Sequence, residues 1–342
     1  MTTPAKLRVG LIGARGYVGS ELIALIAGHP RLDLAFASSR ALAGQRVGDA
    51  LPADPAARAA RDRDLGAAGD VVFAALGPAQ VAERPAEVYI LALPNGLAGD
   101  YVAAIDAADR RDAVIIDVSA DHRFAERWVY GQPERFRSQL AGARRIANPG
   151  CYATAAQLAI WPIVDHLAGP PHIFGVSGYS GAGTRPSPKN DPAVLRDNLL
   201  PYALTGHVHQ REVARHLDHP VYFTPHVAPF FRGITVTVSM VLREPATRAD
   251  LAELYGQRYR DEPLIRFLGE DIPQVRDIAQ HHHVEVGGLS VDATDPRRVV
   301  VVATIDNLLK GAATQAVQNI NLALDLGELS GIMDDAESAR ER

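Results

Sequence analysis

The chain has 342 residues, of which 47% are hydrophobic and 22% are charged, and its formal net charge is −5. This length accommodates two domains with separate cores, and the composition is typical of a soluble globular protein. The negative charge gives no electrostatic support for nucleic-acid or membrane binding, and no apolar run approaches the roughly 18 residues of a membrane span. A single cysteine and an N-terminus without signal-peptide features predict a cytoplasmic protein.

A glycine-rich turn follows the first predicted strand, residues 7–12, and leads into a helical pattern. In the context of strand, turn and helix, this glycine spacing indicates a dinucleotide site. The first glycine permits a tight turn, the second lets backbone amides approach a pyrophosphate, and the third lets the helix pack on its strand. The predicted cofactor contacts in this turn are Gly13, Arg15, Gly16, Tyr17, Val18 and Gly19.

The second predicted strand, residues 32–37, ends in Ser38, Ser39 and Arg40. A fold that prefers NAD usually places Asp or Glu near this point to bind the ribose 2′-hydroxyl. Two hydroxyls and a guanidinium instead suit a 2′-phosphate, so the predicted cofactor is NADP. The competing interpretation of Arg40 is a solvated loop residue.

Three further apolar runs, at residues 70–76, 89–96 and 113–119, predict strands that are covered on both faces, as in a parallel doubly wound sheet. Residues 50–70 before them are predicted to form a surface connection with a helix. Because loops at the carboxyl ends of parallel strands form the ligand crevice, Pro94, Asn95 and Ser119 are candidates to contact nicotinamide or substrate.

Cys151 is the only cysteine of the chain and follows the turn residues Pro149 and Gly150. Apolar residues then recur at helical spacing, so Cys151 is predicted at a helix start, where free N–H groups and the helix dipole favour a thiolate. A lone cysteine is more often a buried structural residue. Its position at the helix start nevertheless favours a nucleophile.

The second half of the chain has the strand pattern of a mixed sheet, and three cationic residues in it are candidate substrate ligands. A loop rich in glycine and proline carries Arg185 and Lys189, and Arg232 lies between two predicted strands, 221–227 and 233–241. Long irregular loops are often functional, and these cations are candidates to hold a substrate phosphate. Each of them could also be an ordinary surface charge.

Two histidine groups follow that loop. His207 and His209 are one residue apart, and either could act as a base; His209 is preferred because Gly206 and His207 resemble the turn that precedes the next element. The run of three histidines at 281–283 has no companion cysteine and cannot converge on one ion, so no metal site is predicted.

A strand at residues 298–305 precedes a helix rich in small residues that begins near residue 306. Such a helix must pack closely, and we expect it to return to the N-terminal domain. The predicted domains are therefore residues 1–150, for NADP, joined by 306–330, and residues 151–305, for catalysis and substrate. The last dozen residues are predicted to be frayed.

A dinucleotide fold followed by a helix-borne thiol and a histidine has an economical chemical interpretation. The thiolate attacks an activated acyl group to form a thioester, and hydride from the reduced cofactor then gives an aldehyde. Backbone N–H groups at the helix start, together with the Asn148 amide, are the predicted oxyanion donors.

The sequence resembles the N-acetyl-gamma-glutamyl-phosphate reductases, the arginine-biosynthetic members of the semialdehyde dehydrogenase family. The resemblance covers nearly the whole chain. His122 and Ala153 stand where the family pattern has Phe and Pro. The matching motifs are 13–19, 38–40, 93–96, 117–121, 148–152, 181–183, 187–190, 206–209, 232–233 and 306–311.

The resemblance implies an α/β fold, with a Rossmann-type doubly wound parallel sheet, an α+β substrate and dimerisation domain, and a C-terminal helix that returns to the first domain. It implies NADPH-dependent reduction of N-acetyl-L-glutamyl 5-phosphate by a cytoplasmic homo-oligomer, a dimer or tetramer. It places the nucleophile on Cys151, the base on His207 or His209, and cofactor contacts on Gly181 and Asn307. Rivals are a reductase of carrier-bound aminoadipyl phosphate, aspartate-semialdehyde dehydrogenase and a non-catalytic NADP sensor.

Overall fold

The structure is a computed structural model that describes residues 5–50 and 65–333. The chain divides into two compact units, Met1–Pro149 with Ala312–Arg342 (unit 1) and Gly150–Gly311 (unit 2). The sequence placed these borders at 150/151 and 305/306, and the assignment of each domain to a ligand stays a prediction. Most of the connection predicted at 50–70 and of the frayed C-terminus lies outside the described residues.

Strands and helices are numbered in chain order over the described residues. The strands are β1 Leu7–Ile12, β2 Leu32–Ser38, β3 Val88–Leu91, β4 Val114–Asp117, β5 Val129–Tyr130, β6 Arg145–Ala147, β7 His172–Gly178, β8 Leu200–Pro201, β9 Tyr222–Ala228, β10 Ile234–Val241, β11 Ile265–Phe267, β12 Val284–Val291 and β13 Arg298–Ile305. The helices are α1 Tyr17–Gly28, α2 Gly66–Asp70, α3 Pro78–Ala82, α4 Ala98–Ala107, α5 Pro133–Leu140, α6 Cys151–Ile160, α7 Pro192–Leu195, α8 Val208–Leu217, α9 Arg248–Tyr259, α10 Val275–Ile278 and α11 Thr314–Ala323.

The sheet of unit 1 is a six-stranded parallel sheet in the order β2-β1-β3-β4-β6-β5. The chain moves from β1 to β2 on one side and then returns to β3 on the other side. The winding therefore reverses between β1 and β3, which is where an open parallel sheet forms its ligand crevice. The predicted Rossmann-type sheet is confirmed.

Both faces of this sheet are covered, which explains why its strands have almost no alternation of polar residues. Along β1, Leu11 packs into one core cluster with Leu22 of α1, and its neighbour Ile12 packs into the cluster on the other face with Ile105 of α4. Helix α11 contacts α1, α5 and β4, and its Ile320 is fully buried in the first of these clusters. The predicted return of the C-terminal helix to the first domain is confirmed.

The strand predicted at residues 70–76 is wrong. Only single bridges occur there, between Ala74 and Ser38 and between Val72 and Arg46. The run buries Phe73 and Leu76, but Val72 is 51% exposed. This apolar segment therefore fills the core beside β2 without forming a continuous ladder.

Unit 2 is built on a seven-stranded mixed sheet in the order β11-β12-β13-β10-β7-β9-β8. Helix α6 packs against β10 and β13, and the alternating residues on that face, such as Val236 and Val301, are fully buried. Residues of the opposite face are more open, including Phe174 (42% exposed), Tyr222 (54%) and Val241 (45%). The predicted α+β second domain is confirmed.

No helix among the described residues has the length and apolar character that crossing a membrane requires. Within the same residues, no group of three His, Cys, Asp or Glu side chains is arranged to hold a metal ion. His283, the last of the three consecutive histidines, is buried directly before β12, and burial lowers its pKa to about 3. It is a neutral side chain of the strand lead-in.

Candidate active site

A cavity of about 160 Å³ in unit 2 contains the predicted catalytic side chains of that unit. Its volume suits a small acyl group. It is lined by Cys151, Tyr152, Ser177, Gly181, Ala182, Lys189, Tyr202, His207, Val208, His209 and Val227. Several elements of unit 2 thus meet around one thiol. They are α6, β7, β9, the start of α8 and the loop that carries Arg185 and Lys189.

Cys151 is the first residue of the ten-residue helix α6, and Gly150 is its N-cap. The side chain is half-buried. The first-turn N–H groups of α6 and the positive end of its dipole therefore act at this residue, as the sequence predicted. Gly311 packs against it so closely that an added β-carbon would lie 2.8 Å from the Cys151 β-carbon, so any side chain at position 311 would displace the thiol.

Glu212 is a site residue that sequence reasoning missed. It is fully buried on α8, and its Oε1 accepts a hydrogen bond of 2.8 Å from the Gly150 N–H. Because it lies three residues after His209, it shares a face of α8 with that histidine. Glu212 therefore joins the N-terminus of the nucleophile helix to the helix that carries the histidine. The His-x-x-Glu spacing was the available signal for this residue.

The two histidines occupy different positions at the start of α8. His207 is the N-cap residue, and its Nδ1 accepts a 3.1 Å hydrogen bond from the His209 N–H. His209 lies in the first turn of the helix, and its ring centroid is 4.7 Å from that of His207 and 6.0 Å from that of Tyr152. The predicted turn followed by a new element is present, and the choice of His209 as base stays a prediction.

Two tyrosines contribute neutral hydroxyls to the cavity. The Tyr152 hydroxyl donates to the carbonyl of His226 at 2.7 Å. Burial first, and the electrostatic effect of Cys151 next, raise the pKa of Tyr202, while a hydrogen bond with Tyr152 lowers it; burial also raises the pKa of Tyr152. Both groups therefore keep their protons at neutral pH, so they can act as hydrogen-bonding groups and not as bases.

Lys189 is the predicted phosphate ligand that lines the cavity. Its Nζ lies 4.7 Å from the centre of the Tyr202 ring, which places the ammonium over an aromatic face. Arg185, on the same loop, is exposed and does not line this cavity.

The third phosphate candidate, Arg232, is 8% exposed and makes a two-point ion pair with Asp306. Its Nε donates to Oδ2 at 2.6 Å and its Nη2 donates to Oδ1 at 3.0 Å. Asp306 in turn accepts from the N–H groups of Leu308 and Leu309. Arg232 thus supports the chain that leaves β13, and a role as phosphate ligand stays a prediction.

The unit 2 residues assigned to the cofactor by resemblance are Gly181 and Asn307. Asn307 is buried, its Oδ1 accepts from the Gly233 N–H at 2.7 Å, and its Nδ2 donates to the Ser180 hydroxyl at 2.9 Å. Gly181 lines the cavity, and an added β-carbon would lie 2.8 Å from the Ser177 hydroxyl. Asn307 therefore holds two loops together, and the cofactor role of both residues stays a prediction.

In unit 1 the glycine-rich turn has a geometry that suits a dinucleotide. Gly13 has φ +83°, and a β-carbon there would lie 2.2 Å from the Ala92 carbonyl, so only glycine fits. Gly16 is the N-cap of α1 with open space where a side chain would be. A β-carbon on Gly19 would clash with the Ala14 carbonyl at 2.4 Å. These are the three requirements that the motif implies: a tight turn, an open backbone and close helix packing.

Hydrogen bonds join the glycine-rich turn to the end of β2. The N–H groups of Gly13 and Ala14 both donate to the Ser38 carbonyl, at 3.1 and 3.0 Å. The Ser38 hydroxyl donates to the Leu76 carbonyl and accepts from the Leu76 N–H, and the Ser39 hydroxyl accepts from the Leu42 N–H; both serines are buried. Arg40 is exposed, which makes its guanidinium the group best able to reach a phosphate. Tyr17, Val18 and exposed Arg15 complete the turn.

The loops after β3 and β4 are hydrogen-bonded to each other at the carboxyl edge of the sheet. Asn95 Oδ1 accepts from the Ala120 N–H at 3.0 Å, and the Asp121 carboxylate accepts from the N–H groups of Gly96 and Ala98. Ser119 is buried, and its hydroxyl accepts a hydrogen bond from the backbone N–H of Asp121. Pro94, which directly precedes Asn95, belongs to the same edge. The structure therefore places these predicted contacts where the fold forms its crevice.

His122, which departs from the family pattern, lies at this edge as well. Its ring stacks on Trp128 with centroids 3.9 Å apart, and its Nδ1 lies 2.6 Å from the buried Asp117 carboxylate. The imidazole thus takes the stacking position that an aromatic ring would fill.

Asn148 is fully buried, and its side chain is already used within unit 1. Its Nδ2 donates to the Ala312 carbonyl at 3.1 Å and its Oδ1 accepts from Asn319 Nδ2 at 3.1 Å. Because an amide nitrogen carries two hydrogens, at most one remains for an oxyanion. These contacts leave Asn148 fewer hydrogens for an oxyanion than a free amide has, and its oxyanion role stays a prediction.

Two family models match the chain, the semialdehyde dehydrogenase NAD binding domain over residues 8–143 and the semialdehyde dehydrogenase dimerisation domain over residues 151–307. An N-acetyl-gamma-glutamyl-phosphate reductase of Xanthomonas euvesicatoria pv. vesicatoria (strain 85-10) is 55% identical over 97% of this chain and 100% of its own length. The chain belongs to the N-acetyl-gamma-glutamyl-phosphate reductase family. The reductase of Xylella fastidiosa (strain M23) is 53% identical over 96% of this chain and 95% of its own length.

Solved structures with the same fold include an aspartate semialdehyde dehydrogenase II of Vibrio cholerae complexed with ASA, with a TM-score of 0.72 and 19% identity over 94% of this chain and 99% of that chain. Another is an aspartate semialdehyde dehydrogenase with NADP from Candida albicans, with a TM-score of 0.70 and 16% identity over 94% of this chain and 100% of that chain. At these identities the likeness shows the fold alone. Membership of the family establishes a nicotinamide-dependent oxidoreductase with a small-molecule substrate.

Proposed function

We propose that this protein is an NADPH-dependent reductase of N-acetyl-gamma-glutamyl phosphate that works through a thioester on Cys151. The observation that carries the proposal is the cavity of unit 2, where a thiol at a helix start meets two histidines and a lysine. Two relatives that are 53–55% identical over nearly their whole length are N-acetyl-gamma-glutamyl-phosphate reductases, which supports the same substrate. The activity belongs to arginine biosynthesis, as the sequence resemblance implies.

The first half of the reaction is acyl transfer to the enzyme. His209 takes the thiol proton, the Cys151 sulfur bonds to the acyl carbon, and the bond from that carbon to the phosphate oxygen breaks. Phosphate leaves as an anion, so a cation nearby stabilises it. The N–H groups at the start of α6 stabilise the charge that develops on the acyl oxygen.

The second half releases the aldehyde. When bound, the reduced cofactor would supply the hydride that converts the thioester carbon to an aldehyde. As the carbon–sulfur bond breaks, the thiolate is regenerated on Cys151, where the helix N-terminus again stabilises its charge. The glycine-rich turn, Arg40 and the loops after β3 and β4 are the residues of unit 1 that would hold the cofactor.

The test of this function is an assay of the purified protein with NADPH and two acyl phosphates, N-acetylglutamyl phosphate and carrier-protein-bound aminoadipyl phosphate. We expect oxidation of NADPH and release of one phosphate per NADPH with the first substrate. Turnover of the carrier-bound substrate alone would assign the chain to the other reaction. A protein with neither activity, and with a Cys151 that alkylates no faster than a free thiol, would be the non-catalytic sensor.

The choice of NADP over NAD rests on Arg40. Arg40→Ala should weaken NADPH binding by about 1.5–3 kcal/mol, the range for hydrogen bonds to a charged group, and leave NADH binding nearly unchanged. Titration calorimetry with both cofactors measures this difference. The control is Arg111→Ala, an exposed arginine of unit 1 that precedes β4 and so lies at the amino edge of the sheet. Equal losses for NADPH and NADH would contradict the 2′-phosphate assignment.

Lys189 is our choice for the residue that binds the substrate phosphate. Lys189→Met removes the ammonium that lies over Tyr202, and kcat/KM for the acyl phosphate should fall about 10- to 150-fold, which corresponds to 1.5–3 kcal/mol. Steady-state kinetics measure this loss, and NADPH affinity should not change. Arg185→Met, on the same loop but outside the cavity, is the matched control. If Arg185→Met alone gives the loss, or if Arg232→Met gives it at an unchanged Tm, another of the three cations binds the phosphate.

We propose that the active form is a homo-oligomer, either a dimer or a tetramer. The description of the family model over residues 151–307 as a dimerisation domain supports this state. The open face of the unit 2 sheet, with the exposed Phe174, Tyr222 and Val241, is the surface that a second copy would cover.

A further inference from the structure

His207 has a role in the cavity that differs from that of a base. As the N-cap residue of α8, it accepts the His209 N–H on Nδ1 at 3.1 Å. A ring nitrogen that accepts a hydrogen bond carries a lone pair, so the proton of the neutral ring must be on Nε2. The helix cap thus fixes the tautomer of this side chain.

Aromatic neighbours fix the orientation of the same ring. Its centroid lies 5.6 Å from that of Tyr202, 5.2 Å from that of Phe223 and 4.7 Å from that of His209, with edge-to-face angles of 70°, 76° and 70°. The ring lines the cavity that contains Cys151. Within the ranges 5–50 and 65–333, no protein atom accepts a hydrogen bond from Nε2.

The ring is also kept neutral. Burial, and then the positive charge of Lys189, lower the pKa of His207 to about 4, and the nearby Glu212 carboxylate opposes this shift. The other titratable groups around the cavity are Cys151, Tyr152, Tyr202 and His209. At neutral pH, His207 therefore carries no charge and has an N–H that it can donate.

We propose that His207 donates a hydrogen bond from Nε2–H to an oxygen of the acyl phosphate in the cavity, and that it does not serve as the base. The inference rests on the proposed function. An oxygen of the substrate gains negative charge when the thiolate attacks, and a fixed donor stabilises that charge without reorganisation. Because the ring is neutral, it forms no ion pair with the Cys151 thiolate. The thiolate therefore stays available to attack the acyl carbon.

The chain offers a pair of substitutions that separates the cap from the donor. Asn places an acceptor near the position of Nδ1 and is a preferred N-cap residue, but it has no group at the position of Nε2. Gln places an amide N–H₂ near the position of Nε2 and is a poor cap. His207→Asn should therefore keep the stability of the protein and lose the donor. His207→Gln should lose the helix cap, and with it some stability, but keep a donor near the position of Nε2.

The experiment measures Tm, kcat and the pH profile of kcat/KM for both variants with N-acetylglutamyl phosphate and NADPH. We expect His207→Asn to keep the wild-type Tm and the shape of the pH profile while kcat falls about 10²-fold. For His207→Gln we expect a Tm about 2–4 °C lower and a kcat higher than that of His207→Asn. His207→Ser, which also caps a helix, repeats the first measurement if the Asn variant does not fold.

Two results would overturn the inference. A capped variant with wild-type kcat would show that His207 is only structural, and a capped variant that loses the acidic limb of the pH profile would show that it is the base. These outcomes are separate from a failure of the proposed function, because wild-type protein without reductase activity would reveal that failure first.

Discussion

Cys151→Ser should reduce turnover of N-acetylglutamyl phosphate by roughly 10⁴- to 10⁶-fold, the range for loss of an enzyme nucleophile. A serine hydroxyl remains protonated at neutral pH, and the helix start that stabilises a thiolate cannot make it an equivalent nucleophile. The serine Oγ would occupy nearly the same position as the cysteine Sγ. The β-carbon is unchanged, so its close contact with Gly311 is preserved. The loss should therefore be chemical, and Tm and NADPH affinity should not change.

A trapping experiment examines the intermediate directly. Wild-type protein mixed with acyl phosphate, without cofactor, should release one equivalent of phosphate and gain the acyl mass on the peptide that contains Cys151. The Ser variant should do neither. Phosphate release by the Ser variant, or an acyl group on a different residue, would show that the thioester mechanism is incorrect.

His209→Asn should lower kcat by about 10²- to 10⁴-fold, the usual contribution of a general base. The side chain lines the same cavity as the thiol, and its helix is joined to the Gly150 N–H through Glu212. Without the base, formation of the thiolate depends on solvent, so alkylation of Cys151 by iodoacetamide at neutral pH should slow as well. Steady-state kinetics and alkylation rates measure the two effects.

The matched control for His209 is His219→Asn, which changes a histidine that follows α8 and does not line the cavity. It should retain wild-type kcat and alkylation rate. NADPH affinity should be the same in the wild-type protein, His209→Asn and His219→Asn. The assignment of the base is incorrect if His209→Asn retains turnover while the capped His207 variant loses both turnover and thiol reactivity.

Local patterns were sufficient to predict much of this fold. Strand β1 has the predicted bounds, residues 7–12, because its apolar residues form one short continuous run that ends at a glycine turn. The glycine spacing after β1 predicted a tight turn at Gly13. The structure explains why this residue is a glycine, because its positive φ and the nearby Ala92 carbonyl both exclude a side chain. The helix start at Cys151 followed from Gly150 and the spacing after it.

Long-range contacts explain what the sequence could not show. The run at 70–76 has the composition of a strand, yet only its neighbours in space determine that it forms single bridges. The partner of Glu212 is 62 residues away in the chain, so the His-x-x-Glu spacing could place Glu212 beside His209 but could not show that it links α6 to α8. The chemical difference between His207 and His209 likewise depends on one hydrogen bond at a helix cap.

The pair formed by Arg232 and Asp306 has a consequence for how this chain can vary in evolution. Both side chains are buried, and removal of one partner of such a pair typically costs about 3–5 kcal/mol, because the other charge is left uncompensated. A lineage can lose the two charges together at much lower cost than it can lose either one. The two positions, 74 residues apart, should therefore covary among descendants, and an invariant arginine at position 232 would reflect its aspartate partner as much as any ligand.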